Sequence, residues 1–215
     1  EYASRYLLAK IEAIKAKDVY AAKLTDPDAT ADTVPATAGV VQNYMRGYMW
    51  GTLGLLYNPD FPGYVSRGIT AAEVEAGVQS WDVLWDRAYK STATVKDSVR
   101  DTYAALIIET YKDEVKALTD RYRAHEIDAD AFNAQMTAIF NRNDDATLAK
   151  VATQLAALRD NIYGYEVDSG KDDIQKGNNI GMGIAWSGDA VYAMDMADEA
   201  GQYTLRYGLP AEGSN

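Results

Sequence analysis

The sequence predicts an α/β fold in which helices flank a central mixed sheet. Short β-prone segments alternate along the chain with helical ones, which is typical of this class. In one segment, Ile180, Met182 and Ile184 alternate with glycines, so we expect a buried strand that another backbone approaches closely. The predicted strands lie within Tyr44–Tyr57, at Thr92–Lys96, from Ile180 onward and at Tyr203–Leu209.

Capping residues and apolar periodicity predict the helices. Thr70 with Glu73 three residues later forms a capping-box pattern. Other candidate caps are Ser80, Asp97 and Asp128. The predicted helices are 4–16, 70–77, 80–85, 98–110, 129–140, 147–162 and 189–200. The helix at 147–162 carries an apolar stripe of Leu148, Val151, Leu155 and Leu158. The charged segment 109–143 has no strand signal and predicts a helical block attached to the α/β part.

Composition and charge limit the classes of partner. The chain has 215 residues and a formal net charge of −11. An acidic surface disfavours nucleic acid, whose phosphates need basic residues, and attracts cationic solutes. There is no cysteine, and no apolar run approaches the roughly 20 residues that span a bilayer. Because residue 1 is Glu, we expect a piece of a longer precursor whose export signal or anchor lies outside this chain.

Signals of common catalytic sites are missing from the sequence. The single histidine, His125, lies on a predicted helix surface. With no cysteine, no second histidine and no Gly-x-Ser-x-Gly motif, neither a nucleophilic triad nor a His-based zinc site is indicated. The 32 acidic residues leave room for a glycosidase-type carboxylate pair, but the pattern singles out none. We therefore predict no enzyme, no metal site and no cofactor, and a carboxylate-dependent hydrolase ranks last.

The segment from Trp186 to Asp189 is the most informative part of the chain. It places an aromatic ring, a Ser187-Gly188 turn and a carboxylate at the end of a predicted strand. Asp189 is expected to open the next helix and to cap its free N–H groups. A Trp face beside an ionised Asp suits a ligand that is cationic and partly apolar. We therefore expect Trp186 to be exposed and to face a ligand.

A second candidate site lies where the strand at Thr92–Lys96 becomes a helix. Ser98 and Asp101 are one helical turn apart there, and ligands of open α/β sheets bind outside the carboxyl ends of strands. One interpretation is that both side chains offer oxygens to a bound amine. The other is that Asp97 caps the helix and Arg100 makes a surface ion pair. Trp50, in a predicted strand, belongs either to the core or to the wall of a ligand site.

Four stretches of sequence together resemble the periplasmic polyamine-binding proteins of ATP-driven importers, the spermidine/putrescine type. The stretches are Tyr48–Thr52 with Gly54 and Tyr57-Asn58, Ser80–Trp85 with Tyr89-Lys90, Asp97–Asp101, and Trp186–Ala190. The closing Pro210-Ala211-Glu212-Gly213 is similar to the Pro-x-Glu-Gly of that family. Order and rough spacing agree over residues 44–108 and 147–215.

The resemblance implies a lobe of a type II periplasmic-binding-protein fold with an added helical insertion. Residues 1–43 would be a helix and linker from the first lobe or the inter-lobe region. Residues 44–215 would be the second lobe, with the insertion at about 109–143. The expected function is capture of spermidine or putrescine for an ABC transporter permease, in the periplasm or at the extracellular face of the membrane. A membrane would be involved only through an anchor or fused permease outside this chain.

The resemblance also assigns ligand contacts and leaves alternatives. It implies that Trp186 packs on the methylene chain of the ligand and that Asp189 and Asp101 pair with its amino groups. Ser98 stands where some relatives have an acid, and Trp50 is included as a further contact. The chain stops at Asn215, just before an aromatic-x-Asp of the family. The alternatives are another organic cation on the same fold, or a protein-interaction domain that uses the helical block.

Overall fold

The computed structural model describes residues 51–167, 169–177, 179–201 and 203–213. Contacts divide the chain into the units Glu1–Trp50 and Gly51–Asn215, and all described residues belong to the second. The strands are β1 (Leu53–Tyr57), β2 (Ala93–Lys96), β3 (Gly164–Glu166), β4 (Met182–Trp186) and β5 (Arg206–Gly208). The α-helices are α1 (Pro62–Val65), α2 (Ala71–Gly77), α3 (Val99–Thr110), α4 (Lys112–Arg123), α5 (Ala129–Phe140), α6 (Asp145–Arg159), α7 (Gly170–Lys176) and α8 (Ser187–Ala200). The predicted helix at 4–16 and Trp50 lie outside the described residues.

The five strands form one mixed sheet in the order β3-β2-β4-β1-β5. β2 is parallel to both β3 and β4, whereas β1 is antiparallel to its neighbours β4 and β5. The carboxyl ends of β2, β3 and β4 therefore meet at one edge of the sheet, together with the amino end of β1. Leu53 at the start of β1 is opposite Trp186 at the end of β4.

Helices cover both faces of the sheet because successive strand residues point to opposite sides. Ile184 of β4 packs in a large core cluster with Val95 and residues of α3–α6, which we call the first layer. Its neighbour Ala185 packs in a smaller cluster with Ile174 of α7 and alanines of α8, which we call the second layer. The predicted α/β architecture is thus present. The helix that follows β2 (α3) and the helix that follows β4 (α8) pack on opposite faces of the sheet.

Several capping predictions are confirmed. Thr70 and Glu73 exchange side-chain and backbone hydrogen bonds in a capping box, which lowers the pKa of Glu73. Asp128 accepts a hydrogen bond of 2.8 Å from the Ala131 N–H and begins α5. The prediction that Asp97 starts the next helix is wrong by one residue, because the cap of α3 is the Ser98 hydroxyl. Ser80 does cap its helix, but that helix is a short 3-10 turn.

The helical block predicted at 109–143 is formed by the end of α3 together with α4 and α5. Arg142 joins it through a two-pronged ion pair with Glu114 and lies over the Tyr111 ring at 4.3 Å. Tyr122 stacks on Phe132 at 4.6 Å between ring centres, so α4 and α5 are held side by side. The status of the block as an insertion stays a prediction.

The stripe predicted on α6 is only half right. Val151 and Leu158 are buried in the first layer, but Leu148 and Leu155 are 45% and 36% exposed. The last strand is also shorter than predicted, because only Arg206–Gly208 pair with β1. Apolar periodicity therefore identified the elements but overstated how much of each is covered.

The segment Pro210–Gly213 is fixed to the turn that begins at Gln79. The Ser80 hydroxyl bonds Glu212 Oε1, the Trp81 indole N–H donates to the Gly213 carbonyl at 2.9 Å, and the Ala211 N–H donates to the Gln79 carbonyl at 2.7 Å. Two of the stretches that carry the family resemblance thus hold each other in place. Within the described part of the chain, no helix combines the length and apolar character needed to cross a membrane.

A candidate ligand-binding crevice at the sheet edge

The sheet has a topological switch point between β2 and β4. These strands are parallel neighbours, yet the chain leaves β2 toward β3 and leaves β4 toward β5 on the other side. Ligands of open α/β sheets bind in the crevice outside the carboxyl ends of such a strand pair. The crevice between the ends of β2 and β4 is therefore the candidate site. Two of the predicted residue groups lie at it, Ser98 with Asp101 after β2 and Trp186 with Asp189 after β4.

Trp186 ends β4 and immediately precedes α8. Its side chain is partly buried against the first-layer core, so the indole is less exposed than the sequence predicts. The backbone here is fixed because the Ser187 N–H donates to the Thr52 carbonyl and the Thr52 N–H donates to the Ser187 hydroxyl. A Cβ at Gly51 would lie 3.0 Å from that hydroxyl, so a glycine suits this close approach.

Asp189 lies in the first turn of α8, but it does not open the helix. The helix begins two residues earlier, and the predicted Ser187-Gly188 turn is its start. The carboxylate faces Lys171 of α7, with 3.5 Å between the Nζ atom and Oδ1, and the two side chains are 21% and 36% exposed. An ion pair at such partly exposed positions contributes about 0.2–1 kcal/mol. The protein thus already supplies an ammonium group to this acid.

Asp101 is in the matching position of α3 and has a different environment. It is only 8% exposed, and its own N–H donates to the Ser98 hydroxyl at 3.3 Å. Within the described part of the chain, no hydrogen bond or ion pair involves its carboxylate. Neither oxygen of this carboxylate is among the fully buried polar atoms that lack a partner, so the group keeps some contact with water. A largely buried carboxylate with no described cation beside it is nevertheless a favourable position for an added cation. The helix amino terminus supplies part of the compensation through its dipole.

A third acid at the same edge has a purely internal partner. Glu166 at the end of β3 forms a buried ion pair with Lys96 at the end of β2, with 2.9 Å between Nζ and Oε1. The other oxygen of Glu166 accepts the N–H of Gly170 at 2.8 Å and so caps α7. A Cβ at Gly170 would lie 2.5 Å from the Glu166 carboxyl carbon, so any other residue there would displace the Glu166 side chain from this contact. No sequence pattern predicted this pair, because its members are 70 residues apart.

The cavity beside Ser98 does not bring the predicted site residues together. It has a volume of 370 Å³ and lies between α3 and α6, with Tyr103, Leu155 and Tyr165 among its lining residues. Its size is within the range of about 300–1,000 Å³ of small-molecule pockets. Asp101, Trp186 and Asp189 do not line it. Trp50, the remaining predicted contact, lies outside the described residues.

No metal-binding arrangement is present in the described ranges. Within residues 51–167, 169–177, 179–201 and 203–213, no three His, Asp or Glu side chains are grouped to hold an ion. His125 is exposed in the turn after α4, where it has a φ of 58°. The side chains that the described residues bring to the crevice are carboxylates, a hydroxyl and an aromatic ring.

Comparison with known proteins supports the fold. No protein-family model matches the sequence, and no curated protein matches it significantly. The spermidine/putrescine ABC transporter substrate-binding protein PotD of Streptococcus pneumoniae is similar over 79% of this chain, with a TM-score of 0.53 and 24% identity. A protein named for a spermidine/putrescine ABC transporter of Listeria monocytogenes is similar over 81%, with a TM-score of 0.53 and 21% identity.

A third solved structure extends the similarity to a lipoprotein. Tp0655 (TpPotD) of Treponema pallidum matches 77% of this chain with a TM-score of 0.50 and 11% identity. The chain spans 39% of the length of the first and third of these proteins and 41% of the second. The predicted fold, a mixed sheet flanked by helices like part of an ABC transporter solute-binding protein, is confirmed. The family resemblance of the sequence agrees with it at the level of fold.

Proposed function

We propose that this chain is the part of an ABC importer's solute-binding protein that captures a polyamine such as putrescine or spermidine. The observation that carries the proposal is Asp101, a carboxylate at the switch-point crevice that is 8% exposed and has no described cation beside it. A ligand ammonium group would supply the missing charge. The net charge of −11 favours the approach of such a ligand.

The chemistry of a polyamine fits both sides of the crevice. Its ammonium groups need carboxylates, and its methylene chain needs an apolar face. The partly buried Trp186 ring, at the end of β4, offers that face. A desolvated cation–π contact contributes up to about 2 kcal/mol, and a hydrogen bond to a charged group about 1.5–3 kcal/mol. Ser98 is already the cap of α3, so its hydroxyl would assist only as a secondary contact.

The rest of the transport assembly is part of the same proposal. The similar proteins are transport components, and the chain spans only about two fifths of them. We infer that this chain supplies one lobe, that a second lobe closes over the ligand, and that a permease receives it at the outer face of the membrane. Closure excludes water and strengthens each charged contact. No catalytic step is part of the proposal.

Calorimetric titration tests the proposal. Putrescine and spermidine are titrated into the product of the complete reading frame, as wild type and as Asp101→Asn. We expect the substitution to weaken binding by about 30-fold or more, because truncating one partner of a buried charge pair costs 2–5 kcal/mol. Asp97→Asn is the matched control, since Asp97 is exposed on the same loop and should matter little. Absence of polyamine binding by the wild type, or equal losses in both variants, contradicts the proposal.

A different organic cation is the second candidate ligand. Ser98 is neutral, and the adjacent apolar cavity contains Tyr103 and Tyr165, which suits a quaternary ammonium group. A thermal-shift panel of putrescine, spermidine, choline and betaine separates the candidates. The ligand that binds the folded state most tightly gives the largest rise in melting temperature at equal concentration. A larger rise with choline or betaine favours this second candidate.

A further inference from the structure

Lys171 occupies a position that helix stability does not explain. It is the second residue of α7, where the positive end of the helix dipole disfavours a cation. Its ammonium group lies 3.5 Å from the Asp189 carboxylate of the neighbouring helix, and both side chains retain some exposure. The contact therefore joins the first turn of α8 to a cation at the start of α7, the helix that follows β3 at the same edge.

We propose that Lys171 is an internal competitor for Asp189, whose ammonium group holds the carboxylate until an ammonium group of the ligand replaces it. The inference rests on the proposed function, because it requires an amine ligand in the crevice. Lys171 and a polyamine present the same chemical group. Binding at Asp189 is then an exchange of one ammonium group for another, whereas binding at Asp101 fills an empty partner position.

The geometry of the pair permits the exchange. A separation of 3.5 Å exceeds the 2.7–2.9 Å that is usual for a charge-assisted N–H···O bond. The carboxylate can accept several hydrogen bonds, so a ligand can approach before Lys171 leaves. The flexible four-carbon stem of lysine lets its ammonium group withdraw without moving the backbone.

The exchange makes Lys171 a specificity-determining residue. A monoamine needs only Asp101 and is indifferent to Lys171. A diamine gains a second contact only after it displaces Lys171 from Asp189. Lys171 therefore sets the ratio of diamine affinity to monoamine affinity, and its removal should raise that ratio.

Titration of two amines of equal length tests the inference. Putrescine, a diamine, and n-butylamine, a monoamine, are titrated into the product of the complete reading frame as wild type and as Lys171→Met. We expect putrescine affinity to rise about tenfold, which corresponds to about 1.4 kcal/mol, while n-butylamine affinity stays within about twofold. Lys176→Met, which removes an exposed lysine from the same helix, controls for the loss of one positive charge.

A double variant links the effect to Asp189. In Lys171→Met/Asp189→Asn, the gain in putrescine affinity should disappear. An unchanged or lower putrescine affinity in Lys171→Met, or an equal rise for both amines, overturns the inference and leaves the proposed function standing. If the wild type binds neither amine, the proposed function and the inference fall together.

Discussion

Each side of the crevice has an aspartate at the same position of its helix, but the two aspartates differ in burial and in their ionic partners. Asp101 and Asp189 each lie in the first turn of the helix that follows one of two adjacent parallel strands. Asp101 is nearly buried and has no described cation, whereas Asp189 is more exposed and faces Lys171. Two carboxylates at equivalent positions of secondary structure therefore differ in what they can offer a ligand, because only one of them has an internal cation beside it.

Glu166, the third acid of this edge, has a fully internal partner, and breaking its ion pair should have the largest effect of the substitutions considered, which is on stability. Glu166 is buried with Lys96, and removing the lysine leaves a buried charge without its partner. We expect Lys96→Met to lower the free energy of unfolding by about 3–5 kcal/mol. Chemical denaturation measures the loss, with Lys90→Met as the exposed-lysine control. An unfolding midpoint equal to that of the wild type would show that the pair does not hold this edge.

Replacing the paired acid should have a smaller effect than replacing the unpaired one. In Asp189→Asn the ligand loses one contact. The ligand then no longer has to displace Lys171 from this position, which offsets part of the loss. We expect polyamine affinity to fall by about tenfold or less, which is about 1.4 kcal/mol. Asp195→Asn, an exposed acid farther along α8, is the control in the same titration. A loss at Asp189 as large as that at Asp101 would remove the distinction between the two sides.

Substitution of Glu109, near the carboxyl end of α3, should have the smallest effect on ligand binding. Burial, followed by a hydrogen bond with Asp82, raises the pKa of Glu109 to about 7, although Lys112 lies 3.3 Å away. Between about pH 4.5 and 7, Glu109 therefore binds more protons in the folded protein than in the unfolded chain. Its contribution makes the free energy of unfolding decrease as pH rises through that window.

Glu109→Gln removes this contribution. Thermal unfolding between pH 4.5 and 7 should depend less on pH in the variant than in the wild type, while polyamine affinity at a fixed pH stays the same. An identical pH dependence in both proteins contradicts the raised pKa. A change in polyamine affinity would show that this cluster communicates with the crevice.

Local chemistry allowed much of the fold to be predicted. The capping box at Thr70 and the cap at Asp128 involve residues three positions apart, so the sequence contains the whole interaction. The alternation of Met182 and Ile184 with glycines likewise identified β4. Leu148 and Leu155 were predicted as core and are exposed, because periodicity reports a face of a helix but not how far a neighbour covers it.

The candidate site was predictable in position but not in electrostatics. Strand ends followed by polar residues identified Ser98, Asp101, Trp186 and Asp189, and the sheet order places them at one switch point. The partners Lys171 and Lys96 were missed, because each pair joins residues that only the folded chain brings together. The same limitation explains why the sequence pattern favoured Asp189, which has the internal partner Lys171, over Asp101.

The role of Asp101 as the ligand's charge partner can be seen in a crystal structure of the product of the complete reading frame with bound putrescine. We expect one ligand nitrogen at about 2.7–2.9 Å from the Asp101 carboxylate, with the methylene chain against the Trp186 indole. Putrescine bound away from the ends of β2 and β4, with Asp101 in contact with none of its nitrogens, would contradict it.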